Sequence, residues 1–245
     1  MDRPSLKRRA AEVIRSQKRP ILLTSFLYSV LVVLFSYLSM RLTMPPTEDL
    51  LRISNLYYAG RMEEAQRLAM SFQPGFGQSL ASDLLSYVQA IVAFGFLILL
   101  LNAIRGQPVV PGMLLDGFGS WAKVLLLELL TRLIVTLGLF LLIVPGILFS
   151  FNYRMAPYLL LTRPEYGVID CLRESRLRMR GHRLELFKLD LSFLGWALLA
   201  AIPLLGIPAA IILTPYWNCS CLLFFEALCA EEGRLPSSDD SFPGF

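Results

Sequence analysis

Residues 84–104 read LLSYVQAIVAFGFLILLLNAI, without one Asp, Glu, Lys, Arg or His. An α-helix rises about 1.5 Å per residue, so a run of this length covers the roughly 30 Å hydrocarbon core of a bilayer. Residues 21–40, ILLTSFLYSVLVVLFSYLSM, repeat the pattern. The whole chain is 55% hydrophobic and only 17% charged, against about a quarter in an ordinary soluble domain. Its mean hydropathy is +0.57. These features predict an all-α, polytopic helical membrane protein.

Four further segments extend the count. Residues 124–144 form a third span that carries Glu128 and Arg132, and residues 145–162 a shorter fourth that carries Arg154. Residues 189–205 and 207–229 supply a fifth and a sixth. Pro145-Gly146 and Gly206-Ile207-Pro208 are expected to turn the chain between spans three and four and between five and six, because proline and glycine end helices. The expectation is about six transmembrane helices in a single membrane domain over 1–245. The count falls to four or five if the fourth or fifth segment is re-entrant.

Charge placement orients these spans. With both termini cytoplasmic, residues 1–20, 105–123, 163–188 and 230–245 lie inside and hold 17 of the 23 Lys and Arg. The long outside loop, 41–83, holds four arginines against five acids. This is the positive-inside asymmetry, and it explains a net charge of +4 without a polyanionic partner. Nucleic-acid binding is therefore not expected. The first apolar run exceeds a signal-peptide core and no A-x-A site follows it, so an uncleaved helix is expected.

Two basic amphipathic interfacial helices are predicted. In residues 5–19, Leu6, Ala10, Val13 and Ile14 share a stripe, with Lys7, Arg8, Arg15, Lys18 and Arg19 largely away from it. In residues 165–180 the stripe is Val168, Leu172, Ser175 and Met179, supported by Ile169. Glu174 and Arg178 stand in the favourable i,i+4 order, and Gly181 is placed to end that helix. The outside loop reads as two helices, one capped by Thr47 ahead of Glu48 and Asp49, the other over 61–72. Residues 105–123 hold prolines and glycines and read as an interfacial turn of helix before Trp121. Cys219 and Cys221 point about 200° apart on a helix and cannot share a metal. No metal site and no cofactor is expected.

The runs LLIVPGILFSFNYRMAPYLLLTRPE (141–165), CLRESRLRMRGHRLELFKLDLSFLGW (171–196) and TPYWNCSCLLFFEAL (214–228) together resemble the bacterial membrane family catalogued as domain of unknown function 975. The resembling elements are Pro145-Gly146, APY at 156–158, the Ser175–Arg183 run, LDLSFLGW at 189–196 and PY at 215–216. The resemblance implies a polytopic protein of the bacterial cytoplasmic membrane. Its layout is distantly similar to the membrane domain of some glycerophosphodiester phosphodiesterases. It implies no activity and carries over no catalytic residue.

Ionisable groups inside a membrane are candidates for function. Glu128, Arg132, Arg154 and Glu226 all fall in the inner half of the predicted bundle, with Asn102 and Asn152 as further polar positions. They are read either as a cytoplasm-facing charged cavity or as a structural ion-pair network. His182 lacks an evident base partner and, with Arg176, Arg180 and Arg183, reads as a contact to lipid headgroups. No nucleophile, phosphate-loop or metalloprotease signature is present. The expectation is a non-enzymatic accessory or scaffold component of the bacterial envelope, in contact with membrane lipids and with a possible membrane protein partner. The alternative is a small transporter or a protein that binds a lipid or anionic ligand.

Overall fold

A computed structural model describes residues 3–72, 74–196 and 203–232. Every element among the described residues is helical. The order is α1 (Arg3–Ser16), α2 (Lys18–Thr43), α3 (Thr47–Tyr58), α4 (Met62–Ser71) and α5 (Phe76–Ile104). A 3-10 helix (Pro111–Ser120) leads into α6 (Trp121–Leu141), α7 (Ile143–Tyr153), α8 (Ala156–Thr162), α9 (Val168–Arg178) and α10 (Arg183–Leu191). The last described helix, α11, runs Pro203–Glu232.

Four stretches are long and apolar enough to cross a bilayer: Lys18–Thr43, Phe76–Ile104, Pro111–Leu141 and Ile211–Ala230. These correspond to the first, second, third and sixth expected spans. The fourth, 145–162, is not one helix but two, α7 and α8, parted at Arg154-Met155. At about 16 Å and 10 Å neither piece alone reaches across a bilayer. The proline in APY is the cause. Pro157 has no N–H for the carbonyl of Tyr153, so the helix stops and restarts with proline in its first turn. The fifth segment begins within α10, and its residues 197–202 lie outside the described residues, as does the 233–245 tail.

Neither expected turn lies where the prolines and glycines suggested. The chain reverses at Leu142, which is extended (φ −161°, ψ 146°), and Pro145-Gly146 sits inside the first turn of α7. A proline costs little there, because first-turn N–H groups have no helical partner. Gly146 is needed for approach: a Cβ there would overlap the side chain of Leu139, and one at Gly138 would lie 2.6 Å from Phe149 Cδ2. Gly206-Ile207-Pro208 likewise lies within a helix, α11, and makes no turn. Helices of membrane proteins tolerate such residues when neighbouring groups satisfy the freed backbone.

The chain divides into two compact units, residues 1–29 with 91–245 and residues 30–90. In the first, α6 and α7 pack as a hairpin, α9 lies against α6, α7 and α8, α10 against α7 and α11, and α1 against α11. The 3-10 helix crosses α5 with backbone on backbone. A Cβ at Gly95 would overlap the Leu114 carbonyl oxygen, and one at Gly117 the Ile91 carbonyl oxygen. Gln17, between α1 and α2, ties the loop before the 3-10 helix: its Nε2 donates to Gln107 O (2.6 Å) and its Oε1 accepts from Val109 N (3.0 Å). Tyr28 stacks on Phe96, with ring centroids 4.7 Å apart. One side of α6 leaves Leu126, Leu129, Leu133, Leu137 and Phe140 exposed at spacings of three and four, the pattern of a lipid-facing stripe.

The second unit contains the helical hairpin α3–α4, turned at Gly60 with φ +74°. Thr47 does not cap α3. It is the first helical residue, Pro46 is the cap, and no side-chain bond is made there. Ser39 and Ser82 hydroxyls are bonded at 2.5 Å.

Candidate functional site

The break between α7 and α8 leaves backbone groups that the rest of the first unit must satisfy. Ser175 of α9, itself fully buried, donates its hydroxyl to the carbonyl oxygen of Asn152 at 2.6 Å. Asn152 is buried as well. The serine that opens the Ser175–Arg183 run therefore supports the end of α7 just before Arg154. The polar position in the predicted α9 stripe is explained by the same bond.

Arg154 projects from this break towards α10 and α11. Its Nη1 donates to Asp190 Oδ2 at 2.5 Å, and the Asp190 side chain is 14% exposed. The other carboxylate oxygen accepts from the Trp217 indole Nε1 at 2.8 Å. The guanidinium also lies over the Trp217 ring, 5.5 Å from its centroid. Phe193 stacks with Trp217, the centroids 6.1 Å apart, and Tyr216 meets Phe193 edge-on at 5.2 Å. Lys7 of α1 places its amine 4.3 Å from the Phe193 centroid and donates to Ser192 O at 3.3 Å. Each of the two stacked rings thus carries a cation, an arrangement favoured because ring faces hold negative quadrupole charge. Burial pulls the Lys7 amine below its ordinary pKa, and nearby Arg3 adds to the effect.

The four candidate intramembrane charges separate into three pairs. Glu128 accepts from Arg132 at 2.7 Å, one turn along α6. Arg154 pairs with Asp190, and Glu226 with Arg9 of α1 at 3.5 Å. Asn102 Nδ2 lies 3.7 Å from Met113 Sδ. Sequence reasoning missed Asp190, Lys7 and Arg9 as partners. Asp190 carried a signal, being the one ionisable residue in LDLSFLGW. Lys7 and Arg9 carried none, since no local pattern says that α1 folds onto α11.

The headgroup candidates diverge. Arg176 and Arg180 are exposed, whereas His182 and Arg183 are half-buried. His182 caps α10, and its Nδ1 lies 3.2 Å from Glu185 Oε2. Burial works to raise the Glu185 carboxyl, yet the group is held below its ordinary value by several favourable contacts, the hydrogen bond with His182 first among them. Glu174 and Arg178 form the expected pair at 2.6 Å, and Gly181 adopts φ +85° just beyond α9. Ile169 does not support the α9 stripe; it is 65% exposed, and Cys171 is buried in its place. Burial, with Asp170 adding to it, pushes the Cys171 thiol up. Among the described residues no group of three His, Cys, Asp or Glu is placed to hold a metal ion.

A family model described as a protein of unknown function, DUF975, matches residues 11–232. The UPF0259 membrane protein SG1383 of Sodalis glossinidius is 30% identical over 184 residues, which cover 70% of this chain and 70% of that protein. No solved structure matches the chain.

Proposed function

This chain belongs to the DUF975 family of membrane proteins, and on that premise we propose that it is a non-enzymatic scaffold or accessory component of the bacterial cytoplasmic membrane. One observation carries the reading. Arg132, Arg154, Glu128 and Glu226 each have an opposite charge within 4 Å. Charges placed in a membrane to bind or move a ligand need a face left open, and each of these is matched by a charge of the protein itself. Two of the pairs link elements far apart in sequence, α7 to α10 and α1 to α11. The partners of such a protein are membrane lipids and another membrane protein; it needs no cofactor, and nucleic acid is not among its partners.

In this proposal α7 and α8 together make one crossing and residues 189–205 another, so that six crossings leave both termini in the cytoplasm. The Lys and Arg asymmetry supports that orientation. Single cysteines placed in a cysteine-free background at Ser5, Ser54 and Gln107 test it with an impermeant thiol reagent on intact cells. Labelling at position 54 alone is expected; labelling at 5 or 107 would overturn the orientation.

A second reading has its own support. The break at Arg154-Met155 and the end of α10 meet at the Arg154–Asp190 pair. Discontinuous helices that meet inside a membrane are where transporters hold their ligands. The two readings part on R154M/D190L, which removes the pair and keeps side chains of similar bulk. In a strain that lacks the gene, the folded double variant should restore whatever growth under envelope stress the wild type restores. Complete loss of that rescue with normal membrane levels would favour an anion-handling site instead.

A further inference from the structure

One face of α9 is committed to the protein. Val168, Cys171, Leu172, Ser175 and Met179 are buried there, where α9 lies against α6, α7 and α8. Its apolar stripe is therefore not available to a bilayer, and the opposite side determines what the helix presents. Arg173 and Arg176 stand three apart on one exposed face of α9, and Arg180 follows, also exposed, in the turn just beyond the helix end. The neighbouring flank is neutralised by the Glu174–Arg178 bond. None of the three exposed arginines has an ion-pair partner among the described residues.

The row is followed in sequence, past the turn at Gly181, by exposed apolar residues. Leu177 is 47% exposed and Leu184 69%, and Phe187 and Leu191 follow, also exposed. Leu184, Phe187 and Leu191 lie on the side of α10 away from its buried Leu186 and Leu189. Exposed guanidinium groups followed along the chain by exposed leucine and phenylalanine supply both parts that a phospholipid needs, cations for the phosphate and apolar side chains for the acyl chains. A nucleic acid or an acidic protein segment would use the cations but not the track. Guanidinium groups suit the phosphate because they can donate two parallel hydrogen bonds to it.

We infer that Arg173, Arg176 and Arg180 form a headgroup site for an anionic phospholipid whose acyl chains lie along Leu184, Phe187 and Leu191. The inference rests on the membrane reading above, but not on the number of crossings or their orientation. It changes the set read from sequence. Arg176 and Arg180 remain and Arg173 joins them. His182 leaves because it is engaged by Glu185, and Arg183 because it is half-buried.

The test is native mass spectrometry of the full-length protein in detergent, titrated with phosphatidylglycerol and with phosphatidylcholine of the same chain length. An arginine near an anionic surface contributes about fivefold in affinity. Wild type should therefore retain phosphatidylglycerol over phosphatidylcholine by more than about tenfold at low salt, with the preference shrinking as salt is added. R173Q/R176Q/R180Q should abolish the preference, and R173K/R176K/R180K should keep most of it. L184Q/L191Q should weaken both lipids alike. Equal retention of the two lipids by wild type, or an unchanged preference in the glutamine variant, would overturn the site. Displacement of the lipid by equimolar glycerol 3-phosphate would overturn the lipid assignment in favour of a soluble phosphate. Failure of the membrane reading would register separately, as recovery of the wild-type chain from cells without detergent.

Discussion

Replacement of Asp190 by alanine removes two contacts at once and should be the most damaging single change at the helix break. It strips Arg154 of its carboxylate and leaves the Trp217 indole N–H without an acceptor. Breaking a fully buried ion pair costs about 3–5 kcal/mol. The Arg154 side chain is 37% exposed, so solvent and headgroups reduce that figure. An orphaned indole N–H adds about 1 kcal/mol. Together these place D190A at about 3 kcal/mol. D190N keeps an oxygen for Trp217 and loses only the charge, so about 1.5 kcal/mol is expected. E128A breaks an i,i+4 pair whose two side chains are each at least a third exposed, and should cost about 0.5 kcal/mol. The assay is reversible unfolding in mixed micelles with increasing sodium dodecyl sulfate, followed by circular dichroism. A double-mutant cycle of D190A with R154A should give a coupling of about 1–2 kcal/mol, above the average of about 0.6 for contacts inside membranes. If D190A costs no more than E128A, or the cycle is additive, the pair does not hold the broken helix, and the joining role assigned to these charges fails.

Other substitutions probe the packing around the same unit. Gly95→Ala or Gly117→Ala drives a methyl group into backbone carbonyls of the facing element and should cost about 3 kcal/mol in the same unfolding assay, whereas Gly112→Ala and Gly119→Ala meet open space and should stay within about 0.5 kcal/mol. Ser175→Ala leaves the Asn152 carbonyl without its buried donor and should cost about 2 kcal/mol. Cys171 is fully buried with its thiol pushed up, so with the other three cysteines replaced by serine it should resist alkylation at about pH 8 in the native state and react within minutes once unfolded. Rapid native labelling would show that α9 opens readily.

Much of the architecture is legible from local composition. Uncharged runs near 20 residues need no partner to declare themselves, because bilayer thickness sets their length and every backbone bond closes within the helix. The Glu128–Arg132 and Glu174–Arg178 pairs, the bend at Gly181 and the stripes on α1 and α9 follow from helical spacing alone. The Pro145-Gly146 and Gly206–Pro208 turns failed for an equally local reason. Proline and glycine read as breakers, yet Pro145 stands in the first turn of α7, where it costs little, and Gly146 serves close packing, while α11 runs on through Gly206 and Pro208.

What sequence could not supply is which charges meet. Asp190 lies 36 residues from Arg154, and Arg9 lies at the opposite end of the chain from Glu226. No periodicity links such positions; only the packing of α7, α10, α11 and α1 brings them together. Nor could the sequence say which side of an amphipathic helix meets protein. The stripe on α9 suits a lipid surface as well as a protein core, because both are apolar, and the hydrophobic effect is not directional. Tertiary packing resolved that ambiguity for α9 by burying the stripe, and in doing so turned the arginine row outward.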